Sequence, residues 1–138
     1  RPQIAQAHVA SLICEGVFEK FTELTWVFVE VDSWWIPGLL HHFDADWKSV
    51  RDSTPWVKRL PSDYFRDHIR VGTQPMEQRS RRDELHSFFE QARADEVLVY
   101  ASDFPHWDWD SPDTVKADLP ESMAENIFGE NARAAFKL

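Results

Sequence analysis

Cysteine is nearly absent: the 138 residues hold one, Cys14, so no internal disulfide can form and a reducing compartment, with the cytoplasm as first expectation, is favoured. Glycine is scarce, with four residues, which argues against a flexible or low-complexity chain. No window approaches the roughly 18 to 20 consecutive apolar residues that span a bilayer, and the N-terminus shows no basic segment followed by an apolar run and a cleavage site. A membrane partner is not expected. Basic residues are outnumbered, 15 against 24 acidic, giving a net charge of -9. No long basic stripe could track a phosphate backbone, so nucleic acid is not expected as a partner. The one dense stretch, Arg79, Arg81 and Arg82, runs directly into Asp83 and Glu84 and reads as the solvated start of a helix. Also missing are a Gly-rich phosphate loop, a GxSxG elbow, HExxH and paired CxxC, which disfavours nucleotide, serine-hydrolase and structural zinc chemistry.

Aromatic residues are plentiful: ten Phe, seven Trp and two Tyr, within a hydrophobic fraction of 43%. That is enough for one packed domain over residues 1–138 and too little chain for two. Val9, Leu12, Ile13, Val17 and Phe21 recur at helical spacing and predict an amphipathic helix over 4–21. Thr25 to Val31 is a run of β-branched and aromatic residues, the pattern of a strand buried on both faces. Ser33 is placed to cap a second helix that has Pro37 in its first turn and Leu39, Leu40, Phe43, Trp47 and Val50 facing inward. A polar loop around Pro55 and Pro61 leads to a weaker strand, Ile69 to Thr73.

A third helix is expected from about Ser80 to Ala94, with Leu85, Phe88, Phe89 and Ala92 inward, then a strand from Glu96 to Ala101 and a loop from Ser102 to Asp110. Residues 120–136 close the chain with helical spacing at Met123, Ile127, Ala132 and Phe136, interrupted at Gly129. Strands alternating with helices predict an α/β fold with parallel strands. Three strands alone leave two sheet edges unpaired, which points to part of something larger. The start at Arg1-Pro2-Gln3, without an initiator methionine, is what a processed or truncated product would show.

Three segments carry a resemblance to a known family. His8 to Ile13 with Glu15 to Phe21, Ala94 to His106 (ADEVLVYASDFPH), and Ile127 to Arg133 (IFGENAR) resemble successive parts of the amidohydrolase-related superfamily, in the branch of metal-dependent hydrolases and non-oxidative decarboxylases. The resemblance implies a partial TIM (β/α)8 barrel: about the last three strand-helix units, with the N-terminal half absent. In such barrels chemistry sits on loops after the C-terminal strand ends, which is where Asp103 falls. It also implies that Asp103 matches an aspartate that helps hold a divalent metal ion, zinc or similar, and accepts a proton from its bound water.

His106, three residues on, lies near Asp108 and Asp110, and spacing leaves ligand and proton carrier both open for this cluster. Phe104, Trp107 and Trp109 could wall an apolar or aromatic pocket, or simply pack the loop down. Glu30 stands where the wider family places a histidine ligand followed by two glycines. Here Val31 and Asp32 follow it, and neither visits φ > 0 cheaply. Glu30 is therefore open to three readings: a substitute metal ligand, a group that orients water and substrate, or a strand-end carboxylate paired with a base.

His41 and His42 are adjacent on a helix, diverge by about 100° and cannot readily share one ion. His8 is expected to pack half-buried on its helix, His68 and His86 to be solvated, and Cys14 to be a small core residue. The family's His-x-His pair after its first strand, and a histidine after its fifth, are not in this chain.

The function expected from these features is hydrolysis or decarboxylation of a small organic acid, with an aromatic one among the options. Asp103, His106 and Glu30 would do the chemistry and Asp103 would be the metal ligand. The partner would be a small-molecule substrate, with self-association open. The rival is a non-catalytic half barrel that folds or works only in association with a partner or itself.

Overall fold

The computed structural model describes residues 1–76 and 81–138. Three strands, β1 (Trp26–Phe28), β2 (Ile69–Gly72) and β3 (Leu98–Val99), form one parallel sheet in the order β1-β2-β3. Parallel neighbours need crossovers, and helices provide them. Between β1 and β2 run α3 (Ile36–Val50) and α4 (Pro61–His68); between β2 and β3 run α5 (Arg82–Ala92) and α6 (Ala94–Val97). Before β1 come α1 (Pro2–Cys14) and α2 (Val17–Lys20). After β3 come α7 (Pro112–Asp118), α8 (Glu121–Glu125), a π turn (Asn126–Glu130) and α9 (Asn131–Phe136). The arrangement is that of a partial β/α barrel, with three strand ends on one rim.

Pairing of Phe28 with Val71 and of Val71 with Leu98 puts these side chains on one face of the sheet. Helices cover that face completely at Ile69, Val71 and Leu98, each 0% exposed. Leu85, Phe88, Phe89 and Ala92 of α5 are buried, as their spacing predicts, and Phe65 of α4 joins them in the same core. Gly72 sits on the other face, where an added Cβ would lie 3.4 Å from the Ala101 Cβ and 3.5 Å from the Phe28 carbonyl oxygen.

Several expectations are corrected. The helix over 4–21 breaks after Cys14, because Gly16 takes a left-handed turn (φ 69°) with the Trp56 indole against it; that indole donates to the Cys14 carbonyl at 2.6 Å. Cys14 and His8 are exposed rather than packed inward. The first strand is shorter than Thr25 to Val31 and is not buried on both faces: Trp26 is 40% and Val29 57% exposed. Ser33 does not cap α3, whose N-cap is Trp35; Pro37 does sit in the first turn, and Val50 faces solvent. The segment read as a loop through Pro61 turns helical there, since Pro at a first-turn position loses no intrahelical bond.

Ser80, the expected start of the third helix, and Arg79 lie outside the described residues; within them α5 starts at Arg82. Glu96 and Val97 are helical, not part of the third strand, because Arg93 in a left-handed conformation restarts one helical turn and ion-pairs with Glu96. Pro112–Asp118 forms a further helix, beyond those that apolar periodicity predicts, with Ser111 Oγ accepting from Thr114 N. Gly129 does not interrupt the last helix but lies inside its π turn, and Phe136 is exposed.

The free-edge expectation also changes. On the outer side of β3 the Tyr100 amide donates to the Ile127 carbonyl (2.8 Å) and Asn131 Nδ2 donates to the Leu98 carbonyl (2.7 Å). The last helical segment thus satisfies edge groups that would otherwise stand open. Among the described residues no helix is long and apolar enough to cross a membrane.

Candidate active site

The rim at the C-terminal strand ends is built by residues following β1, β2 and β3. After β1, Glu30 (φ 57°) and Asp32 (φ 62°) adopt left-handed backbone; of the two residues expected to avoid it, Val31 does and Asp32 does not. Asp32 makes this affordable: its Oδ1 accepts from the amides of Ser33 and, at 2.9 Å, Trp34, a local turn that Asp tolerates well. Trp35 Nε1 donates to the Asp32 carbonyl at 2.7 Å and fastens the turn to α3.

After β3, Asp103 (φ 58°) is the third non-glycine residue of this rim in the left-handed region. Each such residue costs about 1–2 kcal/mol, and strain of this kind tends to gather where a site needs side chains at unusual angles. The turn aims the Asp103 carboxylate at its own loop. Its Oδ2 lies 2.8 Å from His106 Nδ1, and the His106 amide donates back to the Asp103 carbonyl at 2.9 Å. The Asp103 side chain is 14% exposed and that of His106 63%.

The hydrogen bond to Asp103 raises the His106 pKa above its ordinary value, helped by the charges of Asp103, Glu30 and Asp108. Asp108 completes a cluster: one donor atom from each of Asp103, His106 and Asp108 can be chosen so that all lie within 4.8 Å of one another. Two carboxylate oxygens and an imidazole nitrogen are ligand types that zinc and manganese both accept.

Glu30 is brought near enough for its charge to bear on His106, but its carboxylate also pairs with Arg1 Nη1 at 3.4 Å. Asp110, sequence neighbour of the cluster, is 2% exposed and is used in the scaffold: its Oδ2 accepts from the Met76 amide at 2.8 Å. The aromatics do not pack the loop down. Phe104 is 71% and Trp107 94% exposed, and Phe104 meets Trp109 edge-on at 5.5 Å.

Other histidines lie apart from the cluster. His41 and His42 are exposed neighbours on α3 with ring centroids 6.0 Å apart. His68, expected to be solvated, stacks on Phe18 at 4.6 Å and its Nδ1 is 3.0 Å from the Leu24 carbonyl. His86 is likewise half-buried, with Nε2 unpaired. Sequence reasoning missed Gln74, a fully buried amide at the end of β2 whose Nε2 donates to the Asp108 carbonyl at 3.4 Å. Only its position just past a strand end could have signalled it.

The family described as Amidohydrolase matches residues 1–138. The chain belongs to that family. Solved structures agree on the fold. An amidohydrolase from Mycobacterium avium subsp. paratuberculosis K-10 superposes with a TM-score of 0.71 and 23% identity, over 96% of this chain and 33% of its own. The 5-carboxyvanillate decarboxylase of Sphingomonas paucimobilis gives 0.68 and 24%, over 95% of this chain and 38% of its own. A dihydroxybenzoic acid decarboxylase from Polaromonas sp. JS666, solved with bound manganese and the inhibitor 2-nitroresorcinol, gives 0.66 and 21%, over 99% of this chain and 41% of its own. This chain therefore spans about a third to two-fifths of the length of these amidohydrolase-fold proteins. A comparison with curated proteins found no match.

Proposed function

We propose that this amidohydrolase-family chain contributes the last part of a metal-dependent active site that hydrolyses or decarboxylates a small organic acid, with aromatic acids as the favoured class. The observation that carries the reading is the gathering of Asp103, His106 and Asp108 on the rim where barrel enzymes keep their chemistry. Metal-bearing and decarboxylating neighbours of the same fold support it. The donor set fits a divalent ion: three protein ligands with open positions for water or substrate are the usual composition of a catalytic site. Asp103, anionic and mostly shielded, is the ligand proposed first, with His106 and Asp108 beside it. A divalent ion held there would supply Lewis-acid polarisation of a substrate oxygen.

The side chains have separable tasks. Asp103 holds negative charge at the strand end and keeps a proton on His106 Nδ1 by accepting its hydrogen bond. His106, mostly exposed, has two alternative roles that one ring cannot fill at once: with Nδ1 held by Asp103, its Nε2 either completes the ligand set or, left free, carries a proton for a substrate. Glu30 stands across the rim, where it can orient a substrate once its bond to Arg1 opens. Phe104, Trp107 and Trp109 offer flat apolar surface to an aromatic ring.

A second reading also has an observation behind it. Among the described residues no strand pairs with the outer edge of β1, and Val29 beside it is 57% exposed, as expected of a half barrel that works only when associated with a partner or with itself. The test is to load the protein with Mn2+ or Zn2+, supply hydroxylated benzoates, and measure both CO2 release and hydrolytic products. Metal-dependent turnover that disappears in Asp103→Asn supports the enzymatic reading. No turnover by the chain alone, with turnover restored by a complementary barrel half, supports association. Turnover unaffected by Asp103→Asn contradicts the assignment of that residue.

A further inference from the structure

We infer that Gln74 is a positioning residue: its buried amide ties the Asp103-bearing loop to the end of β2 and so sets where Asp103, His106 and Asp108 stand relative to one another. The inference rests on the metal-site reading for its purpose, though not for the tether itself.

The loop of residues 102–110 is closed at its base by the Asp110 amide donating to the Ser102 carbonyl at 2.9 Å. Tyr100 Oη donates to the Asp110 carbonyl, also at 2.9 Å, and the Met76 amide donates to Asp110 Oδ2 at 2.8 Å. Thr73 adds a further seam: its amide donates to the Val99 carbonyl at 2.9 Å, and its Oγ1 accepts from the Ala101 amide at 3.2 Å. The base is thus rigidly joined to the residues that follow β2. Farther out, Asp103 and His106 bind each other. Asp108, the third donor, is held through its main chain by Gln74 Nε2 at 3.4 Å.

Stability does not explain an amide at this place. Gln74 is 1% exposed and its Oε1 is buried without a hydrogen-bond partner. A buried acceptor left unpaired is a net cost, and an apolar side chain of equal length would fill the space more favourably. The orientation is fixed, because turning the amide over would set its oxygen against the Asp108 carbonyl. What the amide supplies that methionine could not is one donor to the loop. Groups behind the ligands typically tune metal affinity by about 10- to 100-fold through such orientation.

The test compares wild type with Gln74→Met, which keeps length and volume but cannot donate. The amide hydrogen exchange of residues 103–110 and Mn2+ affinity by calorimetry are measured on the whole chain. Exchange in this loop should rise about tenfold or more, the Mn2+ dissociation constant should weaken about tenfold, and the thermal midpoint should stay level or rise. Unchanged exchange in the loop overturns the tether. Unchanged affinity, in a wild type that binds Mn2+, overturns its role in placing the donors. A Gln74→Met chain that unfolds, or whose exchange rises everywhere, shows a merely structural glutamine and also overturns the inference. If wild type binds no Mn2+, the metal reading fails on its own, and loop exchange alone judges the tether.

Discussion

The two rims of the sheet are built by opposite means. At the N-terminal strand ends, Glu19 receives the Tyr64 hydroxyl and pairs with Lys58 Nζ at 2.7 Å, while Arg59 lies over the Tyr64 ring at 4.6 Å and bonds Asp67 at 2.6 Å. His68 stacks on Phe18 in the same cluster, beside a cavity of about 440 Å3 lined by Phe18, Glu19, Leu24, Tyr64 and His68. Every one of these charges has a partner. At the C-terminal ends stand three left-handed non-glycine residues, a cluster of two carboxylates and an imidazole, and aromatics turned to solvent. One rim spends its side chains on holding the fold, the other on holding groups where a ligand could use them. That cavity does not border Asp103, so the cluster of Asp103, His106 and Asp108 is marked by its side chains and not by this concavity.

Substitutions should separate the rims cleanly. The largest effect is expected beneath the lower rim, where Phe65→Ala removes a ring that is 0% exposed and should cost about 3–5 kcal/mol in denaturant unfolding. A cost below about 1 kcal/mol would mean this core is loosely packed. Next, Asp103→Gly should weaken Mn2+ binding by about 100-fold or more while changing unfolding free energy by no more than about 1 kcal/mol, since glycine relieves the left-handed strain it replaces. A large loss of stability there would show that the upper rim is structural after all. Tyr64→Phe, which deletes a hydroxyl bonded to both Glu19 and the Lys58 amide, should cost about 1–2 kcal/mol and leave Mn2+ affinity unchanged.

The smallest effect is a difference in pH response. His106 has a raised pKa, so the stability its pair with Asp103 adds in the metal-free protein is fully present below the ordinary value of 6.5 and is lost as pH rises through the raised one. Glu19 has a lowered pKa, because Lys58 and Tyr64 hydrogen bonds favour its carboxylate. Its contribution is fully present above the ordinary 4.5 and is lost as pH falls through the lowered value. His106→Gln should therefore flatten the alkaline limb of the stability curve, and Glu19→Gln the acidic limb. Exchange of the two limbs between the variants would refute the assignment.

What could be read from residues alone follows physical range. The helix-strand alternation and the core of α5 were legible, because periodicity at Leu85, Phe88, Phe89 and Ala92 is local and apolar burial enforces it. Helix α4 was not, since Pro55 and Pro61 look like loop punctuation unless Pro61 is known to occupy a first turn. The left-handed turns at Glu30 and Asp32 were hidden by the absence of glycine, their usual marker. Asp103 and His106 could be singled out from one short segment, and their hydrogen bond spans only three residues. Gln74 and Asp110 could not be assigned to the loop scaffold, because each acts across 34 positions of sequence that only the parallel sheet brings together.

Anomalous scattering from crystals soaked in Mn2+ tests the central claim most directly. One manganese peak within ligating distance of the Asp103 carboxylate, shared with His106 or Asp108 and missing from Asp103→Ala crystals, is the predicted result. A peak that settles elsewhere, or one that persists after Asp103 is removed, would contradict it.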